Sequence, residues 1–222
     1  MAADADGWAI RDQLRKELRA LLGSGLFYAM PTPGSADLDP PVSIHLKPSG
    51  VAVAARLYEQ FGDYLDLQVG ALPYPPGTGD LRAPTQDAAG ERVTIDPAQL
   101  RCELDGPLSV LSGETIEHGL LLTNHYDRAV AVYTNGHVTA SIVDPTNADV
   151  VGGFVGPQHL PLVQFTAAPG ETVRVPLLVG TASFTSRLGF AVPPGQWQLV
   201  APLDLDDGRR LITPALDLTV TA

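Results

Sequence analysis

The chain has one cysteine, Cys102, among 222 residues, so no internal disulfide can form. Lysine is nearly absent too: Lys16 and Lys47 are its only two copies, and the other basic residues are arginines. Net charge is −11 and the isoelectric point is near 4.7. Such an acidic surface repels a phosphate backbone, which argues against a general nucleic-acid partner. No apolar run approaches the ~20 residues of a membrane helix, and the opening "MAADADGWAI" has no apolar core of signal-peptide length. Membrane insertion is therefore not expected. A cytoplasmic location is the default, with a virion or an export route without such a signal left open. Scarce lysine beside abundant Ala, Asp, Gly, Pro and Arg suits a GC-rich bacterial genome, such as that of an actinobacterium.

What the chain does have is punctuation. Glycine and proline number 22 and 20, well above average, and point to many turns between short strands. Apolar residues make up 45%, enough for a packed core.

Residues 7–22, "GWAIRDQLRKELRALL", predict an amphipathic helix with Ile10, Leu14 and Leu18 on one face and Gly23 as its stop. Val42, Ile44 and Leu46 alternate, as do Leu65, Leu67 and Val69. Between them a helix is expected over about 50–61, with Ser49 as N-cap. This strand–helix–strand unit and the first helix form a small α/β module over 1–75. Residues 76–96 read as a Pro/Gly-rich linker ending in a short strand near 92–95. "PPGTG" there is no phosphate loop: Tyr74 replaces the first glycine and Asp80 the lysine, and a carboxylate repels phosphate.

From 97 to 222 short alternating runs are broken by "NHYD", "TNG", "APGE", "PPGQ" and "DDGR" turns, which predicts an all-β antiparallel sandwich and an α+β chain overall. Pro176 cannot donate to a ladder, so the strand "TVRVPLLVG" is expected at a sheet edge.

Three of the five histidines, His118, His125 and His137, fall within 114–140 beside Glu117 and Asp127. A zinc site needs three or four converging ligands. Strand parity instead splits these histidines between faces and a turn, with Gly119 a candidate bulge. His45 and His159 each read as isolated, His45 outward on its strand. Asp204, Asp206 and Asp207 lack the register of a calcium loop and read as a hairpin tip. Cys102 alternates with apolar residues and reads as a buried core thiol. No catalytic, cofactor or metal residue is assigned, and no cofactor is expected. The apolar segments 152–165 and 180–195 supply the candidate contact surface for a protein partner: Phe154, Leu160, Phe184 and Phe190.

The motifs "SGETIEHGLLLTN", "AAPGETVRVPLLVGT" and "VPPGQWQLVAPLDL" make residues 107–220 resemble a bacterial immunoglobulin-like sandwich. The antibody-type cysteine pair is absent. Residues 42–72 resemble stretches of uncharacterised actinobacterial proteins. The sandwich resemblance implies a fold shared by cell-surface modules, intracellular proteinase-inhibitor domains and phage accessory domains. The expected role is non-enzymatic: protein–protein interaction, or an accessory or structural subunit of a bacterial assembly, with a homo-oligomer or larger complex open. The alternatives are a proteinase inhibitor presenting loop 152–161, and an enzyme using His118 or His125 with Asp127.

Overall fold

A computed structural model describes residues 4–31, 41–77, 93–158 and 161–222. The first part holds α1 (Asp4–Ala20), β1 (Phe27–Ala29), β2 (Val42–Leu46), α2 (Val51–Phe61), β3 (Leu65–Val69) and β4 (Leu72–Tyr74). The sheet runs β1-β2-β3-β4, with β2 and β3 parallel in the register Val42↔Leu65 to Leu46↔Val69. Both strands bury alternate residues beneath the helices, in a core with Leu14, Leu18, Leu57 and Phe61. Gly23 closes the turn after α1 at φ +79°, a backbone that glycine adopts without strain. Arg56 of α2 donates to Glu17 of α1 at 3.1 Å. Ser49 does not cap α2. Pro48 starts a single 3-10 turn, and Gly50 holds the cap position without a side-chain bond. Strands β1 and β4 fall in short stretches with too few residues to show a period.

The second part opens with β5 (Val93–Thr94), β6 (Leu100–Leu104), β7 (Ser109–Leu111), β8 (Thr115–Asn124) and β9 (Val130–Thr134). It continues through β10 (Val138–Thr139), β11 (Ser141–Val143), β12 (Val150–Gly153), β13 (Val163–Ala167) and β14 (Thr172–Gly180). It ends with β15 (Ala182–Ser183), β16 (Gly195–Val200), β17 (Pro202–Leu205), β18 (Arg210–Ile212) and β19 (Leu216–Thr221). These strands form three sheets, β10-β14-β8-β6, β15-β12-β11-β16-β19-β7 and β13-β9-β17-β18-β5. All three contribute to one core, Leu120 and Leu177 from the first, Ile142 and Leu199 from the second, Val132 and Leu203 from the third. The chain is thus α+β and mostly a β-sandwich.

Several details depart from the sequence expectations. The runs 137–144 and 196–205 each read as one strand, yet both bend at a buried alanine. Ala140 separates β10 in one sheet from β11 in another, and Ala201 separates β16 from β17 in the same way. A small side chain lets the backbone turn the corner while alternation continues through it. Thr213 secures the second corner, its hydroxyl accepting from Ala201 N at 2.9 Å. Three pairs are parallel rather than antiparallel: β10 with β14, β18 with β5 and β19 with β7. β14 is not an edge strand, because it lies between β8 and β10. β10 reaches only Leu177 and Leu178, however, so that flank of β14 has no β10 partner up to Pro176, where a missing N–H is tolerated. The short strand expected near 92–95 is present as β5, which joins the third sheet through β18, and Ile95 after it is buried in the core.

Gly119 makes no bulge, since β8 and β14 stay in register from Thr172↔Thr123 to Gly180↔Thr115. It is a site of close approach: a Cβ there would lie 2.6 Å from Arg174 Nε and 2.8 Å from Asp105 Cβ. The Arg174–Asp105 ion pair, 2.6 Å long, crosses directly over it.

Candidate functional site

The aromatic residues proposed from sequence as a contact surface are occupied within the chain. Phe184 is only 4% exposed and packs with Ala71 of the α/β part, so it is core and offers no surface to a partner. Phe190 packs against the α/β core and stacks on Tyr74 at 6.1 Å between ring centroids. Phe154 meets Tyr28 edge to face at 6.2 Å. Leu160 lies outside the described residues, as does His159. Gly70 and Gly113 allow the backbones to close. A Cβ on Gly70 would stand 3.3 Å from Ala182 Cβ, and one on Gly113 3.2 Å from Pro48 Cβ. Burial raises the Tyr28 phenol above its ordinary value, a hydrogen bond with Thr115 opposing and the Glu114 carboxylate adding to the rise. These aromatic side chains join the α/β part to the sandwich. Phe190→Ala is expected to cost about 2 kcal/mol, less than a fully buried phenylalanine, because the ring is only partly buried. Hydrogen exchange should then accelerate at β2 and β3 while β8 and β14 stay protected.

Beside this junction lies an open cleft of about 590 Å³. One wall is the outer face of the third sheet, with Tyr133, Asp204 and Arg210. A second is made by the 135–139 turn and the 154–158 segment, and His45 completes the lining. Tyr133 points outward because Val130, Val132 and Thr134 take the buried positions of β9. Arg210 donates to both Asp204 oxygens, at 2.7 and 3.0 Å. Gln158 donates to the Thr139 hydroxyl at 2.5 Å. His45 Nε2–H donates to the Gly70 carbonyl at 2.6 Å, which leaves Nδ1 as an acceptor while the ring is neutral. His45 is thus half-buried at the junction, 5.0 Å from the Tyr28 ring, and not isolated on an open face. Thr134, 7% exposed, also lines the cleft, and its buried hydroxyl has no hydrogen-bond partner among the described residues.

The other histidines do not converge. His137 pairs with Glu117 at 2.8 Å, His118 Nε2 lies 3.4 Å from the Gly106 carbonyl, and His125 is exposed in its turn. No hydrogen bond links His118 or His125 with Asp127. Among the described residues no three His, Cys, Asp or Glu side chains are grouped to hold a metal. The hairpin-tip carboxylates face arginines: Asp204 holds Arg210, and Asp207 accepts from Arg209 at 2.8 Å and Arg128 at 2.9 Å. The Arg209 bond is the main reason the Asp207 carboxyl stays well below the usual carboxylate range.

Cys102 is buried in the sandwich core, and burial pushes its thiol up to about 12 from an ordinary 9.0. Between these values the unfolded thiol releases its proton while the native one keeps it, so this thiol's contribution to stability falls as pH rises through that window. A maleimide at neutral pH should label Cys102 only when the sandwich opens, which makes the thiol a reporter of folding.

No protein-family model matches the chain, and no curated protein is similar to it in sequence. Among solved structures, a crystal structure of a CARDB domain from Pyrococcus furiosus in complex with di-metal ions shares 14% identity, covering 59% of this chain and 95% of that one, with a TM-score of 0.29. A solution structure of the same domain shares 13%, covering 55% and 94%, with a TM-score of 0.27. The cupredoxin domain of amoB from Nitrosocaldus yellowstonii shares 13%, covering 50% and 57%, with a TM-score of 0.25. These overlaps are too loose to carry a residue role, and nothing about metal passes from those proteins to this chain.

No helix among the described residues is long and apolar enough to cross a membrane.

The cleft residues missed from sequence were Tyr133, His45 and the Asp204–Arg210 pair. One signal was present: a large aromatic ring at the outward parity of "RAVAVYT", an amphipathic surface on the face turned away from the core.

Proposed function

We propose that the protein is a non-enzymatic interaction or accessory subunit of a bacterial assembly, built on an immunoglobulin-like sandwich. In this reading β13 takes up an extended segment of a partner protein. The observation that carries it is the character of that edge. β13 ends its sheet and, among the described residues, pairs only with β9. An unpaired edge is a template for another strand unless charges or bulges guard it. β6, an edge of another sheet, is guarded: Arg101 and Glu103 point outward and pair at 2.5 Å. β13 has no such guard. Its exposed positions are Gln164 and Thr166, and Leu162 just before it is 69% exposed.

The proteinase-inhibitor reading has less support, because the first two residues of its 152–161 loop, Gly152 and Gly153, belong to the strand β12 between β11 and β15. The test is capture of the partner from the native host by the full chain, then by Leu162→Lys/Thr166→Lys. The charged edge should lose one stoichiometric protein that the unaltered chain retains. Equal capture by both chains would refute the edge reading.

A further inference from the structure

Gln164, Tyr133, Asp204 and Arg210 stand directly opposite one another on four adjacent strands, β13, β9, β17 and β18. At the usual strand spacing this row is about 14 Å long. It crosses the outer face of the third sheet and runs into the cleft. The chain carries −11, yet the described cleft lining holds one carboxylate and one guanidinium, bonded to each other. The remaining polar side chains that face it are amides, a hydroxyl and imidazoles: Asn135, Gln158 and Thr139, with His45 and His137.

Such groups give and accept hydrogen bonds in similar measure, and so does an alcohol. An anion or a cation would need an unpaired counter-charge, and the Arg210–Asp204 pair is already matched. Between the polar groups the Tyr133 ring offers a flat apolar surface, and Phe154 adds apolar area at the far wall. The C–H faces of a sugar ring suit that surface while its hydroxyls reach the rim. The volume falls within the ~300–1,000 Å³ of small-molecule sites and admits one or two sugar rings.

We infer that the cleft binds a neutral, hydroxyl-rich ligand, a mono- or disaccharide unit. This site is separate from a protein strand at β13 and stands or falls without it. The experiment titrates the full chain, followed by amide NMR, with glucose, galactose, mannose, maltose and cellobiose, and in parallel with glucose 6-phosphate and glucosamine. A neutral-glycan array separates a free sugar from the end of a longer glycan. At least one neutral sugar or array glycan should bind saturably, with shifts at Tyr133, Asn135 and Gln158, and more tightly than the charged analogues. Tyr133→Ala should weaken binding about tenfold, the value of one lost ring contact. Asn135→Ala, on a turn, tests the polar rim without touching the sheet, and protection of Cys102 from maleimide certifies each variant as folded. The proposal is overturned if no neutral sugar or glycan binds, if glucose 6-phosphate or glucosamine binds more tightly, or if the folded Tyr133→Ala and Asn135→Ala variants both bind like the unaltered protein.

Discussion

Asn124→Leu should destabilise the sandwich by about 3 kcal/mol or more. Asn124 is fully buried at the end of β8, and its side chain makes three bonds. Nδ2 donates to the carbonyls of Arg128 at 2.8 Å and Ala167 at 2.9 Å, and Oδ1 accepts from Tyr126 N at 2.9 Å. One amide thus shapes the turn into β9 and ties it to the end of β13. Leucine keeps the branched shape but is larger, and it leaves two carbonyls and one N–H without this partner; for the buried Ala167 carbonyl that loss costs about 1–3 kcal/mol. Asn124→Asp should also lose stability, because a carboxylate cannot donate to either carbonyl. Urea unfolding followed by circular dichroism measures both. An unchanged midpoint for Asn124→Leu would mean that water or a neighbouring group replaces the amide.

Gly180→Ala is expected to cost about 3 kcal/mol, the upper range for overpacking. A Cβ at Gly180 would lie 2.6 Å from Phe154 Cα, 2.9 Å from Phe154 N and 2.9 Å from the Gly153 carbonyl oxygen. All three are backbone atoms, so no side chain can swing aside. The end of β14 and the chain leaving β12 must separate instead, and Phe154 moves with them. Thermal unfolding should show the loss, and hydrogen exchange should rise at β12 and β14 together. Gly152→Ala, whose Cβ would run into Val192 Cγ2 and stand 2.6 Å from the Ala182 carbonyl oxygen, should behave alike. A stable, fully protected Gly180→Ala would show that the two segments have room to part.

Strand parity located much of the fold. Thr115–Asn124 and Thr172–Gly180 each alternate long enough to be read as they fold, and Val175, Leu177 and Val179 are buried as their period requires. The corners at Ala140 and Ala201 were invisible, because an inward alanine continues the alternation while the backbone changes sheet. β12 was missed because "VVGG" has no period, and its two glycines answer to Ala182 and Phe184 far along the chain. The candidate site was less legible. Phe154, Phe184 and Phe190 sit in apolar Gly- and Pro-rich segments that look like exposed loops, since nothing local tells that Tyr28, Ala71 and Tyr74 meet them. The Gln164–Tyr133–Asp204–Arg210 row depends on three strand registers, and two of them, Gln164 with Tyr133 and Tyr133 with Asp204, join residues well separated in sequence.

The division of labour that follows is specific. Aromatic residues bind the α/β part to the sandwich, and in the function proposed above the uncharged β13 edge takes up the partner. A photo-crosslinking residue placed at Leu162, with Leu22 as control, tests this in the native host. Both positions are exposed, at 69% and 56%, but only Leu162 adjoins β13. Capture of one protein at Leu162 and not at Leu22 is the expected result. Equal capture at both positions, or capture at Leu22 alone, would contradict it.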